Sequence, residues 1–310
     1  MVIKNIKGKR QKRIFVRVKK YLVMVTKFGG IANLEYEKDV FYLGNGVLLR
    51  KTYAHFFSPY MVAFNPPGKF KHHEGPWRNA NGGLSFDILL ELEVPHMDIF
   101  GGYFTQNDII WIVTSLIKLS VHPYVSVPVI SNRSFTELRS PEKDGNLEPN
   151  EISRRIFNVP KDIKPILSEE TLLWIKDVWV SVATLMKNEP RFFSALKAID
   201  SSGFRGSNAS SMVTIWGAIE QLFSSNGGEL KFRVASNLAA FLQEPGKERL
   251  ELFGKLKKLY DHRSTAAHTA KPIEINSLVE SYIHLRNALM KIIETNKIPS
   301  QADFEDLLFT

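Results

Sequence analysis

The chain has 310 residues, 44% hydrophobic, 11% aromatic and 24% charged, a balance that excludes a disordered polymer and permits a sizeable core. At roughly 100–200 residues per domain, this length suits two domains or one large one. The formal charge of +9 comes from 41 Lys and Arg against 32 Asp and Glu, and it is unevenly placed. Residues 1–34 hold Lys4, Lys7, Lys9, Arg10, Lys12, Arg13, Arg17, Lys19, Lys20 and Lys27 and no acid, so the remainder carries 31 bases against 32 acids, a net of −1.

No cysteine is present. That removes disulfide scaffolds, cysteine-ligated zinc, thiolate nucleophiles and iron–sulfur clusters, and it fits a reducing cytoplasm, the expected location. The longest stretch free of Lys, Arg, Asp and Glu, Thr52 to Gly68, contains Pro59, Pro66 and Pro67 and is too short to cross a bilayer. Membrane insertion is not expected. The positive N-terminus continues through Lys20, and the apolar run Tyr21 to Thr26 is too short for a signal-peptide core.

In chain order, Ile14 to Val18 and Tyr21 to Val25 are rich in β-branched and aromatic residues and predict strands. Val40 to Leu43 and Val47 to Leu49 flank Gly44-Asn45-Gly46, whose tolerance of positive φ predicts a hairpin. Leu84 to Val94 alternates in part, as a strand with one buried face does. Asp108 to Leu119 reads as a short helix capped by Asn107 or Asp108, although its apolar run also suits a strand. Between Ser140 and Pro165 the chain turns charged and Pro-bearing, the composition of an exposed connection. From Ser168, a predicted N-cap followed by Glu169 and Glu170, the apolar period becomes helical. Further helices are predicted at about 190–199, 207–224, 229–243, 247–267 and 275–295, with breakers at Asn226-Gly227-Gly228, Pro245-Gly246 and Pro272. The expected fold is α+β: a β-rich recognition or sensing domain over residues 1–150, then an all-helical bundle over 165–310 with mostly antiparallel neighbours.

Chemistry concentrates at the end of the 247–267 helix, where Tyr260-Asp261-His262-Arg263-Ser264-Thr265-Ala266-Ala267-His268 sets an Arg and a His with four residues between them. By itself such a pair is a weak signal, since a solvated helix end explains it equally well. Upstream come Trp216-Gly217-Ala218-Ile219-Glu220-Gln221-Leu222-Phe223, then Gly228-Glu229-Leu230 leading into a second helix, then Arg249-Leu250-Glu251-Leu252-Phe253. In order and spacing these segments, over about 205–295, resemble the HEPN superfamily and most closely its Apea-like branch. The resemblance implies a helical bundle working as a homodimer. It implies a metal-independent endoribonuclease with neither metal nor cofactor, acting in bacterial anti-phage defence or as a toxin, with a phage-derived trigger or an antitoxin as partner. It also assigns Arg263 and His268 as the catalytic pair and Ser264 as the polar residue after the Arg.

The residue types suit that chemistry. A His titrating near neutrality takes a proton from a ribose 2′-hydroxyl or returns one to the leaving 5′-oxygen. An Arg stays charged and matches phosphate oxygens with a planar fork. The products would be a 2′,3′-cyclic phosphate and a 5′-hydroxyl. Five steps along an ideal helix, however, set Arg263 and His268 about 140° apart. Convergence then requires the helix to tighten, kink or end near Ala266 and Ala267, or a second subunit to complete the site. Thr269 stands where a Gly commonly follows the His, and Ala266-Ala267 are smaller than the usual branched pair. The second reading is accordingly a non-catalytic module for RNA binding, protein binding or dimerisation.

Around this motif, Glu220 either orients Arg263 or is a surface carboxylate, and His262 either transfers protons or complements the helix dipole. Lys257 and Lys258 either steer RNA or simply solvate the helix. His284 and Arg286 on the last long helix either line the cleft or, as expected, are exposed. His72-His73-Glu74 resembles metal ligands only by residue type, and no metal site is predicted. Residues 201–310 hold 13 bases and 12 acids, too balanced to attract RNA at long range. If RNA is the substrate, that role falls to the basic segment of residues 4–27, with Lys9, Arg10, Lys12, Arg13, Lys19 and Lys20 as candidate contacts; the segment reads equally well as a solvated, partly disordered arm leading into an ordinary strand.

Overall fold

A computed structural model describes residues 26–309, with 59, 70, 81–82, 153–164, 204–205, 225–228 and 270 excepted. The predicted strands at 14–18 and 21–25, the cluster Lys9, Arg10, Lys12, Arg13, Lys19 and Lys20, and the breaker Asn226-Gly227-Gly228 lie outside the described residues.

Strands β1 (Lys27–Ala32), β2 (Val40–Gly44) and β3 (Val47–Ser58) are followed by a small two-stranded ribbon, β4 (Met61–Ala63) with β5 (Trp77–Asn79). Then come β6 (Leu84–Val94), helix α1 (Gln106–Ser120), β7 (Ser126–Ser131) and β8 (Leu147–Pro149). The main sheet is antiparallel throughout, in the order β2-β3-β6-β1-β7-β8. The β2–β3 hairpin forms where expected, with Asn45 at φ 50° and Gly46 at φ 79°, the double positive φ that matches the right-handed twist of its strands. The segment expected to be a plain connection contributes the edge strand β8, which pairs with β7.

Strand β1 is sandwiched, and its sequence shows how. An added Cβ on Gly29 would stand 2.7 Å from Ile110 Cγ2 of α1, and one on Gly30 would stand 2.8 Å from Phe135 Cζ on the opposite face. Two consecutive glycines thus let a helix and an aromatic ring approach the strand from its two sides. The second cover also alters β6, expected to have one buried face. Around Leu90-Glu91-Leu92 both faces are closed, because Phe28, Ile88, Val129 and Phe135 form a small apolar cluster over the side that alternation assigned to solvent. Glu91 is 2% exposed there and accepts the Phe135 N–H at 2.8 Å. Burial, more than any neighbouring charge, pushes its carboxyl above the usual range.

Helix α1 starts in a capping box: Thr105 Oγ1 accepts the Asp108 N–H, and Asp108 accepts from the Thr105 N–H. The cap is therefore Thr105, not Asn107 or Asp108, because the reciprocal bonds need the acid three residues inside the helix. The remaining helices are α2 (Glu169–Asn188), α3 (Pro190–Ser202), α4 (Asn208–Phe223), α5 (Leu230–Leu242), α6 (Lys247–His268), α7 (Ile275–Thr295) and α8 (Gln301–Phe309). Ser168 caps α2, accepting the Thr171 N–H at 3.1 Å. Pro190, whose missing N–H is harmless in a first turn, starts α3 straight after α2.

The fold is α+β, strands dominating the first half and helices the second. One continuous apolar cluster runs from Leu49 and Leu92 of the sheet through Ile109 and Leu116 of α1 and Trp179 of α2 to Trp216 of α4 and Leu285 of α7. Trp179 ties the halves directly, its indole N–H donating to the Leu43 carbonyl at 2.9 Å. Among the described residues no helix is long and apolar enough to cross a membrane.

Candidate functional site

Helix α4 is the buried axle of the bundle: Met212, Ile215, Trp216, Ile219, Leu222 and Phe223 face the core. Its less buried edge presents Glu220. Helix α6 packs across α4 and α5 with Leu256 and Leu259 as its only fully buried residues. The rest of α6 is a surface helix whose inner edge carries Tyr260 and Arg263.

Arg263 and Glu220, 43 positions apart, meet between α6 and α4. Arg263 Nη2 lies 3.1 Å from each carboxylate oxygen and hydrogen-bonds Oε2. Oε1 and Arg263 Nε are buried without a hydrogen-bond partner, so the fork is only partly used. The guanidinium also sits over the Tyr260 ring, 5.6 Å from its centroid, and Tyr260 packs edge-on against Trp216 at 5.4 Å. Burial, followed by the Glu220 charge, raises the Tyr260 phenol above its ordinary value. Trp216 is held in turn by its N–H bond to Ser281 Oγ at 3.0 Å. Of the two readings of Glu220, the geometry supports orientation of Arg263.

The other predicted residues are dispersed. His262 Nδ1 lies 2.8 Å from Ser277 Oγ at the start of α7, so a side-chain partner engages it in addition to any helix-end charge. Ser264 is half-buried, while Lys258 and His268 are exposed. Lys257 lies over the Phe253 ring at 5.1 Å. The helix continues without a break through His268, with the Thr269 N–H bonded to the Thr265 carbonyl at 2.9 Å. Neither tightening nor a kink brings His268 round to the face of Arg263; within one chain the two groups stay apart.

Two residues read as exposed are not. Arg286 reaches across to donate to the Leu119 carbonyl at the end of α1. His284 is half-buried with Nε2 unpartnered. Its imidazole is held down to about 4, chiefly by burial and then by the Lys255 charge, with Glu280 partly opposing. The sequence does not show this burial, because groups from other elements supply it. His73 Nδ1 bonds the Asn65 carbonyl at 2.9 Å, and no group of three acidic or His side chains gathers to hold an ion among the described residues.

No family model, curated protein or solved structure matches this chain.

Proposed function

We propose that this protein is a metal-independent endoribonuclease of the HEPN type, with Arg263 binding the scissile phosphate and His268 moving the proton. The observation that carries the reading is the state of Arg263. It is anchored by Glu220 and Tyr260, yet its side chain is still 21% exposed, and an exposed His ends the same helix. A guanidinium fixed on one side and still partly open to solvent can receive an oxyanion. Because Arg263 and His268 diverge within one chain, the working site combines Arg263 of one copy with His268 of a second. Bacterial defence against phage, or a toxin released from an antitoxin, is the setting the resemblance offers.

Purified protein incubated with single-stranded RNA or tRNA in EDTA is expected to yield 2′,3′-cyclic phosphate ends. Arg263→Ala and His268→Ala are each expected to abolish them, and mixing the two variants to restore part of the activity through mixed dimers. Cleavage by His268→Ala equal to wild type sinks the proposal, and cleavage that stops in EDTA sinks its metal-independent chemistry. Expression toxicity lost in Arg263→Ala would be the cellular counterpart.

One observation favours a second reading. The Arg263–Glu220 pair is largely shielded and serves the packing of α6 on α4 without any substrate, which suits a binding or dimerisation module. That reading expects salt-sensitive RNA binding without products.

A further inference from the structure

Where α1, α3 and α7 converge, the structure forms a partly open chamber of about 200 Å³. Leu119 and Pro123 from the end of α1 and its following turn, with Leu196 and Ile199 from α3, form apolar walls. Ser115 of α1 lines it, is 2% exposed, and has a hydroxyl with no hydrogen-bond partner. Serine in a helix commonly bonds a carbonyl one turn back, as Thr114 and Ser120 of the same helix do; a hydroxyl that does not is a buried polar group awaiting a partner.

The chamber's charged side is already internally paired. Lys118, 5% exposed, contacts Glu151 Oε1 at 2.5 Å and Asp200 Oδ1 at 2.7 Å. The second oxygens of those carboxylates accept from the Val127 N–H at 2.8 Å and the Trp111 N–H at 2.9 Å. Apolar walls and a buried hydroxyl suit a neutral guest, since a charged one would be desolvated there. In size the space falls below the roughly 300–1,000 Å³ of drug-sized pockets and near the ~150 Å³ apolar cavity known to hold one benzene.

We propose that this chamber is a binding site for a small neutral aromatic molecule of one or two rings, whose polar group hydrogen-bonds the Ser115 hydroxyl. The site joins both halves of the chain, since α1 packs on the sheet and α3 and α7 belong to the bundle. It also shares α7 with Ser277 and Ser281, the partners of His262 and Trp216. It does not depend on the ribonuclease reading.

Calorimetric titration of the full-length protein with indole, benzylamine and benzoate tests it. Indole is expected to bind saturably with one-to-one stoichiometry, and the charged benzylamine and benzoate each at least about tenfold more weakly. Ser115→Ala is expected to weaken indole binding about tenfold by removing its hydrogen-bond partner. Ser115→Leu fills the floor and should abolish binding. Gly203→Phe is the second blocking variant: Gly203 lines the chamber at φ −70°, and an added Cβ meets nothing within 4 Å. Circular dichroism identifies the variants that fold. No saturable binding of indole overturns the proposal, as does benzylamine or benzoate binding equal to it, or wild-type affinity in a folded blocking variant.

Discussion

Replacing His284 by Leu should remove an acid sensitivity that the fold imposes on the bundle. The imidazole sits on α7 with its Nε2 buried and unpartnered, near the Lys255–Glu280 ion pair of 3.0 Å. Burial first, and then the Lys255 charge, hold it down to about 4 from an ordinary 6.5. In the unfolded chain the same group takes its proton near 6.5. Between those limits the unfolded state binds more protons, so stability is full above about pH 6.5 and falls as pH drops toward 4. At about 1.4 kcal/mol per pH unit, the complete loss is on the order of 3 kcal/mol, and about 2 kcal/mol of it is lost between roughly pH 7.5 and pH 5. Urea unfolding, followed by far-ultraviolet circular dichroism at several pH values, measures it in wild type and in His284→Leu. The difference between the two curves is the informative quantity, because it cancels other groups. Glu91 in particular has the opposite sign: its carboxyl is raised by burial, so its protonation in acid relieves a penalty. The wild type should lose about 2 kcal/mol more than the variant on moving to pH 5. Parallel curves, or a wild type that gains on the variant in acid, would refute the reasoning.

Other perturbations address the remaining contacts. Arg263→Ala or Glu220→Gln should each cost about 1–3 kcal/mol, since each strands a mostly buried partner; a double-mutant cycle showing no coupling would contradict the ion pair. Trp179→Phe keeps most of the packing but leaves the Leu43 carbonyl without its indole donor, an expected loss of about 1–3 kcal/mol by urea unfolding. Removing residues 1–13, which hold Lys4, Lys7, Lys9, Arg10, Lys12 and Arg13, should weaken RNA binding and flatten its salt dependence. An unchanged salt slope in filter binding would mean that this segment does not contact the phosphates.

Features governed by near neighbours were legible. The hairpin at Gly44-Asn45-Gly46, strand Leu84 to Val94, the Ser168 cap and the helices of the second half each rest on residues within a turn or two of one another. Two local signals were passed over. Thr105 with Asp108 caps α1, and Ser300 with Asp303 begins α8, the Ser300 N–H donating to Asp303 at 2.7 Å and the Asp303 N–H to Ser300 Oγ at 3.3 Å. Both follow the Ser/Thr, two residues, acid pattern of a capping box.

From sequence alone came the α+β order of elements, the exclusion of cysteine chemistry and the confinement of excess positive charge to the first tenth of the chain, because composition and short-range periodicity suffice for these. Tertiary structure decided which charges are buried and what they face. Glu91 lies on the strand face that alternation assigns to water, and Phe135, packing from beyond β7 with Phe28, Ile88 and Val129, encloses it. Glu220 reads equally well as a surface carboxylate until α6 crosses α4 and brings Arg263 to 3.1 Å. The motif behaves the same way: helical period sets Arg263 and His268 apart, but only the unbroken run of α6 to His268 shows that no kink reunites them. Periodicity specifies the face of an element, and packing between elements distant in sequence specifies what that face meets.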